Sequence, residues 1–79
     1  MSTPPSSRPI PARVRIGLQP DHVRWFHVLP RTGEWVNFAP PGGRRDDYQV
    51  EWVLHWATDP DRPGDDPDVT VEIQLIDPD

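Results

Sequence analysis

The residues that could do chemistry are few and scattered. The chain of 79 residues has three histidines, His22, His27 and His55, and no cysteine. Its three serines lie in the opening "MSTPPSS", where nothing nearby can orient a hydroxyl against a base. No G-x-S-x-G turn or comparable nucleophile elbow occurs. Nucleophilic catalysis therefore lacks its parts, and the expectation is a protein that is not an enzyme, with no catalytic residues.

Two metal readings can be built and both fall short. His27 and His55 would converge only on neighbouring strands, and no third ligand stands at a recognisable spacing. The stretch "DPDRPGDDPD" places Asp59, Asp61 and Gly64 as in the D-x-D-x-x-G opening of a calcium loop. Pro63 then occupies the third side-chain ligand position, and Thr70 stands where a bidentate Glu is required. A looser oxygen cage from Asp59, Asp61, Asp65 and Asp68 is the alternative to a solvated acidic loop. The expectation is no metal and no cofactor.

Binding chemistry is better represented, because four tryptophans fall in so short a chain. Trp25 and Trp35, with His27 and Asn37 beside them, resemble a platform for stacking on sugars. Arg13, Arg15, Arg24 and Arg31, with Trp25 or Phe26 to stack on, suggest a single-strand nucleic-acid face. The sequence pI of about 4.9 argues against the second reading, since nucleic-acid binders show a basic footprint. A third reading is an apolar patch of Trp25, Leu29 and Trp35 with Arg24 and Arg31 at its rim. Such patches mark protein partners, and Trp and Arg are favoured anchors.

The elements that must position these residues are strands. "RVRIGL", residues 13–18, puts Val14, Ile16 and Leu18 on one face and Arg13 and Arg15 on the other. "VRWFHVLPRTGEWVNF", residues 23–38, reads as a β-hairpin around "PRTGE". Pairing Leu29 with Trp35 puts Phe26, Val28, Val36 and Phe38 on the core side. Trp25, His27, Leu29, Trp35 and Asn37 then share the opposite side. "PPGGRRDD" is a loop. "YQVEWVLHW", residues 48–56, alternates as a strand with Tyr48, Val50, Trp52, Leu54 and Trp56 inward. A helix capped by Asp46 or Asp47 is the alternative. "VTVEIQLI" is a strand with Val69, Val71, Ile73 and Leu75 inward and Thr70, Glu72 and Gln74 outward.

Composition sets the frame. An apolar content of 34% with 12 prolines predicts one small folded body with irregular margins. Residues 1–12 read as a flexible Pro/Ser-rich arm and residues 13–77 as a single β domain with an acidic loop at 58–68. The opening residues carry no apolar signal-peptide core, and no run is long enough to span a membrane, so a cytoplasmic location is expected. All eight basic residues are Arg, and Asp outnumbers Glu ten to three. A GC-rich genome produces that bias, which points to an actinobacterium or one of its phages. Charge is also split along the chain. Residues 1–45 hold seven Arg against two acids, net +5, and residues 46–79 hold one Arg against eleven acids, net −10.

The predicted fold is all-β: a small antiparallel sandwich or partly open barrel of about five short strands. Its predicted core is Val14, Ile16, Leu18, Phe26, Val28, Val36, Phe38, Val50, Trp52, Leu54, Val71, Ile73 and Leu75. The expected function is a non-enzymatic protein–protein interaction or assembly module whose partner is a protein or a second copy of itself. Nucleic acid is disfavoured as a partner, and no membrane is expected. The alternative is a β domain that binds carbohydrate or single-stranded nucleic acid.

Overall fold

A computed structural model describes residues 8–78. Its five strands are β1 (Ile10–Ile16), β2 (His22–Phe26), β3 (Trp35–Phe38), β4 (Asp46–His55) and β5 (Val71–Ile76), with a 3₁₀ turn at Pro63–Asp65. They form a single mixed sheet in the order β2-β1-β5-β4-β3, curled into a half-barrel. The chain runs up and down around this curl, and its first and last strands meet. Five is an odd number, so that meeting is parallel: Val14 lies opposite Ile73 and Ile16 opposite Leu75. The all-β, partly open barrel is therefore present, but the sheet is not wholly antiparallel.

The inner face carries the core: Ala12 and Val14 on β1, Val36 and Phe38 on β3, Val50 on β4, and Val71, Ile73 and Leu75 on β5. Ile16, Phe26, Leu29, Tyr48 and Val53 pack around it. Tyr48 meets Phe38 edge to face, with ring centroids 6.3 Å apart.

Strand β1 starts earlier than the alternation of residues 13–18 predicts. Of the expected arm, residues 1–7 lie outside the described residues, while Ile10, Pro11 and Ala12 open the strand. Pro11 is tolerated because β5 joins β1 only from Arg13 onward, so its missing N–H leaves no gap in that ladder. The strand ends at Gly17, whose φ of +55° turns the chain and throws Leu18 fully into solvent.

Strand β4 resolves the ambiguity of residues 48–56 in favour of strand, with one irregularity. Val50 pairs with Leu75 and Trp52 with Gln74, so Glu51 is the extra residue of a bulge. The bulge shifts the alternation by one. Val53, opposite Ile73, becomes the inward residue, while Trp52 and Leu54 turn outward. Their expected place in the core is corrected by this one inserted residue.

Gln74 also departs from its expected solvent-facing role. It is buried on the outer face, where its amide accepts from Arg15 Nε at 2.9 Å and donates to the Gly17 carbonyl at 2.8 Å. Both ends of the amide are satisfied, so burial leaves no orphaned polar atom.

Candidate functional site

The predicted hairpin of residues 23–38 is not zipped. β3 pairs with β4, placing Trp35 opposite Gln49, Val36 opposite Tyr48 and Asn37 opposite Asp47. β2 pairs only with β1, so β2 and β3 are the two edges of the sheet. Gly33 is left-handed as the loop chemistry predicts, but the turn spans residues 31–34 and does not have Pro30 at the first corner of a type I turn, as the sequence suggests. Glu34 N donates to the Arg31 carbonyl at 3.0 Å, and Gly33 takes a φ of +90° at the third turn position, as a type II turn requires. The Glu34 carboxylate closes the same turn by accepting from Arg31 N at 2.6 Å.

What captures the far side of that turn is β4. Gly33 N donates to the Val50 carbonyl at 2.8 Å, and Val50 N donates to the Glu34 carbonyl at 2.9 Å. Side chains reinforce the β3–β4 hairpin. Asn37 Nδ2 donates to Asp47 Oδ1 at 2.9 Å, Arg45 donates to Asn37 Oδ1 at 2.8 Å, and Gln49 Nε2 donates to the Gly33 carbonyl at 3.1 Å. The hairpin's own loop includes a tight turn at 40–43. There Gly43 N donates to the Pro40 carbonyl at 2.8 Å, and Gly42 sits at a φ of +72°. The "PPGG" stretch is thus a hairpin turn, with Pro and Gly in type II positions.

Curling brings the two sheet edges near each other, and a side chain spans the seam between them. Arg24, opposite buried Ala12, points inward. Its guanidinium lies 5.0 Å from the centre of the Phe38 ring and donates to the Ala39 carbonyl at 3.1 Å. A second nitrogen donates to the Val23 carbonyl at 2.8 Å. A cation held over a ring this way contributes about 0.5–2 kcal/mol, depending on how dry it is. It also explains why the seam stays open. Zipping β2 onto β3 would press an inward-facing charge into the core, and inward charges on edge strands are a known guard against strand pairing.

A groove follows the seam. Its wider part, about 650 Å³, is lined by Phe26, Val28, Leu29, Pro30, Glu34, Trp35, Val36 and Asn37. A narrower part, about 180 Å³, adds Arg24, Trp25, Phe38, Ala39 and Arg45 and shares Phe26, Val36 and Asn37 with the first. Loop 27–34 forms one wall.

The predicted binding residues distribute unevenly along this groove. Trp25 and Trp35 are both exposed, at 62% and 60%, but stand on opposite edge strands rather than side by side on one hairpin face. Leu29 is not an exposed anchor, because it packs against the core while lining the groove. Val28, expected in the core, is 81% exposed instead. Arg24 faces inward, and Asn37 is held by Asp47 and Arg45. Arg31 and His27 are exposed in the connecting loop.

The other constellations are not assembled. Arg13 and Arg15 lie on β1, away from Arg31, and Arg24 is engaged at the seam. His27 follows β2 while His55 ends β4, and those strands are not neighbours. In the acidic loop, Asp59 accepts from Asp61 N, and Asp66 accepts from Asp59 N. Among the described residues, no three His, Asp or Glu side chains are grouped to hold a metal ion. No helix among them is long and apolar enough to cross a membrane.

One surface escaped the sequence reading altogether. Trp52, Leu54 and Trp56 stand exposed along β4 and just beyond it, and Trp56 Nε1 donates to Glu72. Only a signal for the bulge at Glu51 would have revealed it. Comparison with known protein families, with curated proteins and with solved structures finds no match to this chain.

Proposed function

We propose that this chain is a non-enzymatic protein–protein interaction or assembly module, and that its partner site is the groove along the β2–β3 seam. One observation carries this reading: the seam leaves an unpaired backbone edge on each of two strands and flanks it with the two most exposed tryptophans. Exposed apolar grooves with Trp and Arg at their margins are the usual seats of partner side chains. Arg24 guards the seam against a new strand, so the partner is held chiefly by side-chain contacts with Trp35 and Trp25. A cytoplasmic place, and a role as a small accessory or structural protein of an actinobacterium or its phage, fit the reading.

A second reading has its own support. All four tryptophans are at least 37% exposed, and Trp52 and Trp56 offer flat rings away from the groove. Those rings suit stacking on carbohydrate, and quenching of tryptophan fluorescence by polysaccharide would favour that alternative.

The test of the first reading is Trp35→Ala. The variant should unfold cooperatively within about 1 kcal/mol of the parent, as changes to exposed residues do. Light scattering after size exclusion, over a range of concentration, should show association in the parent that the variant loses if the partner is a second copy. A parent that stays monomeric directs the search to another protein. A variant that fails to fold would put Trp35 in the core and remove the site.

A further inference from the structure

We propose that two copies of this chain pair edge to edge along the second half of β4, joining their sheets and leaving each groove free for its own partner. The inference does not depend on what fills the groove.

An open edge comes first. β3 pairs with β4 only from Asp46 to Gln49, and Gly33 and Glu34 extend that contact to Val50. On the other side, β5 continues along β4 to His55. From Glu51 to His55, β4 therefore has a strand on one side and, among the described residues, none on the other. Trp56 N donates to the Thr70 carbonyl, so Trp56 faces β5. By alternation, Val53 and His55 turn their N–H and C=O toward the open side. Such an edge is a template for another strand, and this one holds none of the Pro or Lys that commonly blunts one. The bulge at Glu51 stands only at its start.

The residues of the edge select the occupant. A two-fold contact must be self-complementary: residue i meets j, and j meets i. "EWVLH", Glu51 to His55, meets that condition when the strands run antiparallel about Val53. Val53 then faces Val53 of the second copy, and the two exchange N–H···O=C bonds. On the outer face, Trp52 meets Leu54 of the second copy and Leu54 meets its Trp52. These residues are 37% and 43% exposed in one copy, so pairing removes apolar surface from water. At each end Glu51 meets His55 of the second copy, a carboxylate beside an imidazole that can donate to it. Shifting the register by two residues either way sets Glu51 or His55 opposite Val53 and parts these pairs.

Light scattering after size exclusion on the full chain, at concentrations up to about 1 mM, should show a monomer–dimer equilibrium. His55→Pro removes an N–H that points to the open side and leaves the β4–β5 ladder intact. That variant should keep its thermal transition and dimerise about tenfold more weakly or worse, because symmetry deletes each bond twice. His55→Glu should weaken the dimer by setting like charges opposite each other, and adding Glu51→Arg should restore it. Trp35→Ala should leave the equilibrium unchanged. A chain that stays monomeric over the whole range would overturn the proposal. So would a dimer indifferent to His55→Pro and His55→Glu, or a charge swap that fails to rescue. A dimer lost in Trp35→Ala and kept in the His55 variants would overturn it too, and would place the contact at the groove. If His55→Pro does not fold, the charge swap decides. If Trp35→Ala does not fold, the groove reading fails and the His55 variants still decide this one.

Discussion

The β4–β5 ladder and the β2–β3 seam each set two antiparallel stretches side by side, and they are held by different means. In the ladder, Val71, Ile73 and Leu75 are all buried, and β4 pairs with them from Gln49 to His55. In the seam, the inward positions of β2 are His22, Arg24 and Phe26, and Arg24 reaches across to Ala39 and Phe38. Alternating β-branched residues can be dried on one face and therefore closed by backbone. An inward guanidinium can be satisfied at an edge but not in a sealed interior. Strand propensity alone therefore does not decide pairing. What a strand presents to the interior decides whether it can be zipped to its neighbour.

Substitutions in the two regions should differ in the size of their effects. The largest effect is expected at the ladder. Ile73→Ala should cost about 2–5 kcal/mol, enough to unfold a domain this small, and urea titration would read it. Arg24→Ala should cost about 1 kcal/mol, because it removes one cation–ring contact and the hydrogen bond to Ala39. Its amide exchange should quicken on β2 and β3 and not on β5. Trp25→Ala should be the mildest for stability, within about 0.5 kcal/mol in thermal melts, while weakening partner binding.

Much of the architecture was legible in the residues. The strand class, the inward sets of β5 and β3, and the left-handed Gly33 all follow from alternation and turn chemistry. Three features were not. Pairing of β3 with β4 depends on the "PPGG" turn and on Asn37, Asp47, Arg45 and Gln49, whose bonds form only once the register exists. Gly17 interrupts an otherwise smooth alternation, so Leu18 looks inward until the turn is seen. The bulge at Glu51 is the subtlest, because one inserted residue inverts Trp52, Val53 and Leu54 without disturbing composition. For the site, the reading named residues that line the groove, Trp25, Leu29, Trp35, Arg24 and Asn37, but grouped them as the face of a hairpin. They belong to a seam, and the inward direction of Arg24 is the reason.

The central claim is that β2 and β3 face each other without a backbone ladder and so leave a site for a partner. Residue-resolved amide hydrogen exchange on the full chain tests it most directly. The expected result is slow exchange through β5 and the β4 residues paired to it, with the seam-facing amides of β2 and β3 exchanging orders of magnitude faster and slowing when a partner is added. Seam amides of the isolated monomer protected as strongly as those of β5 would contradict the account, because the barrel would then be closed and the groove would have no free edges to offer.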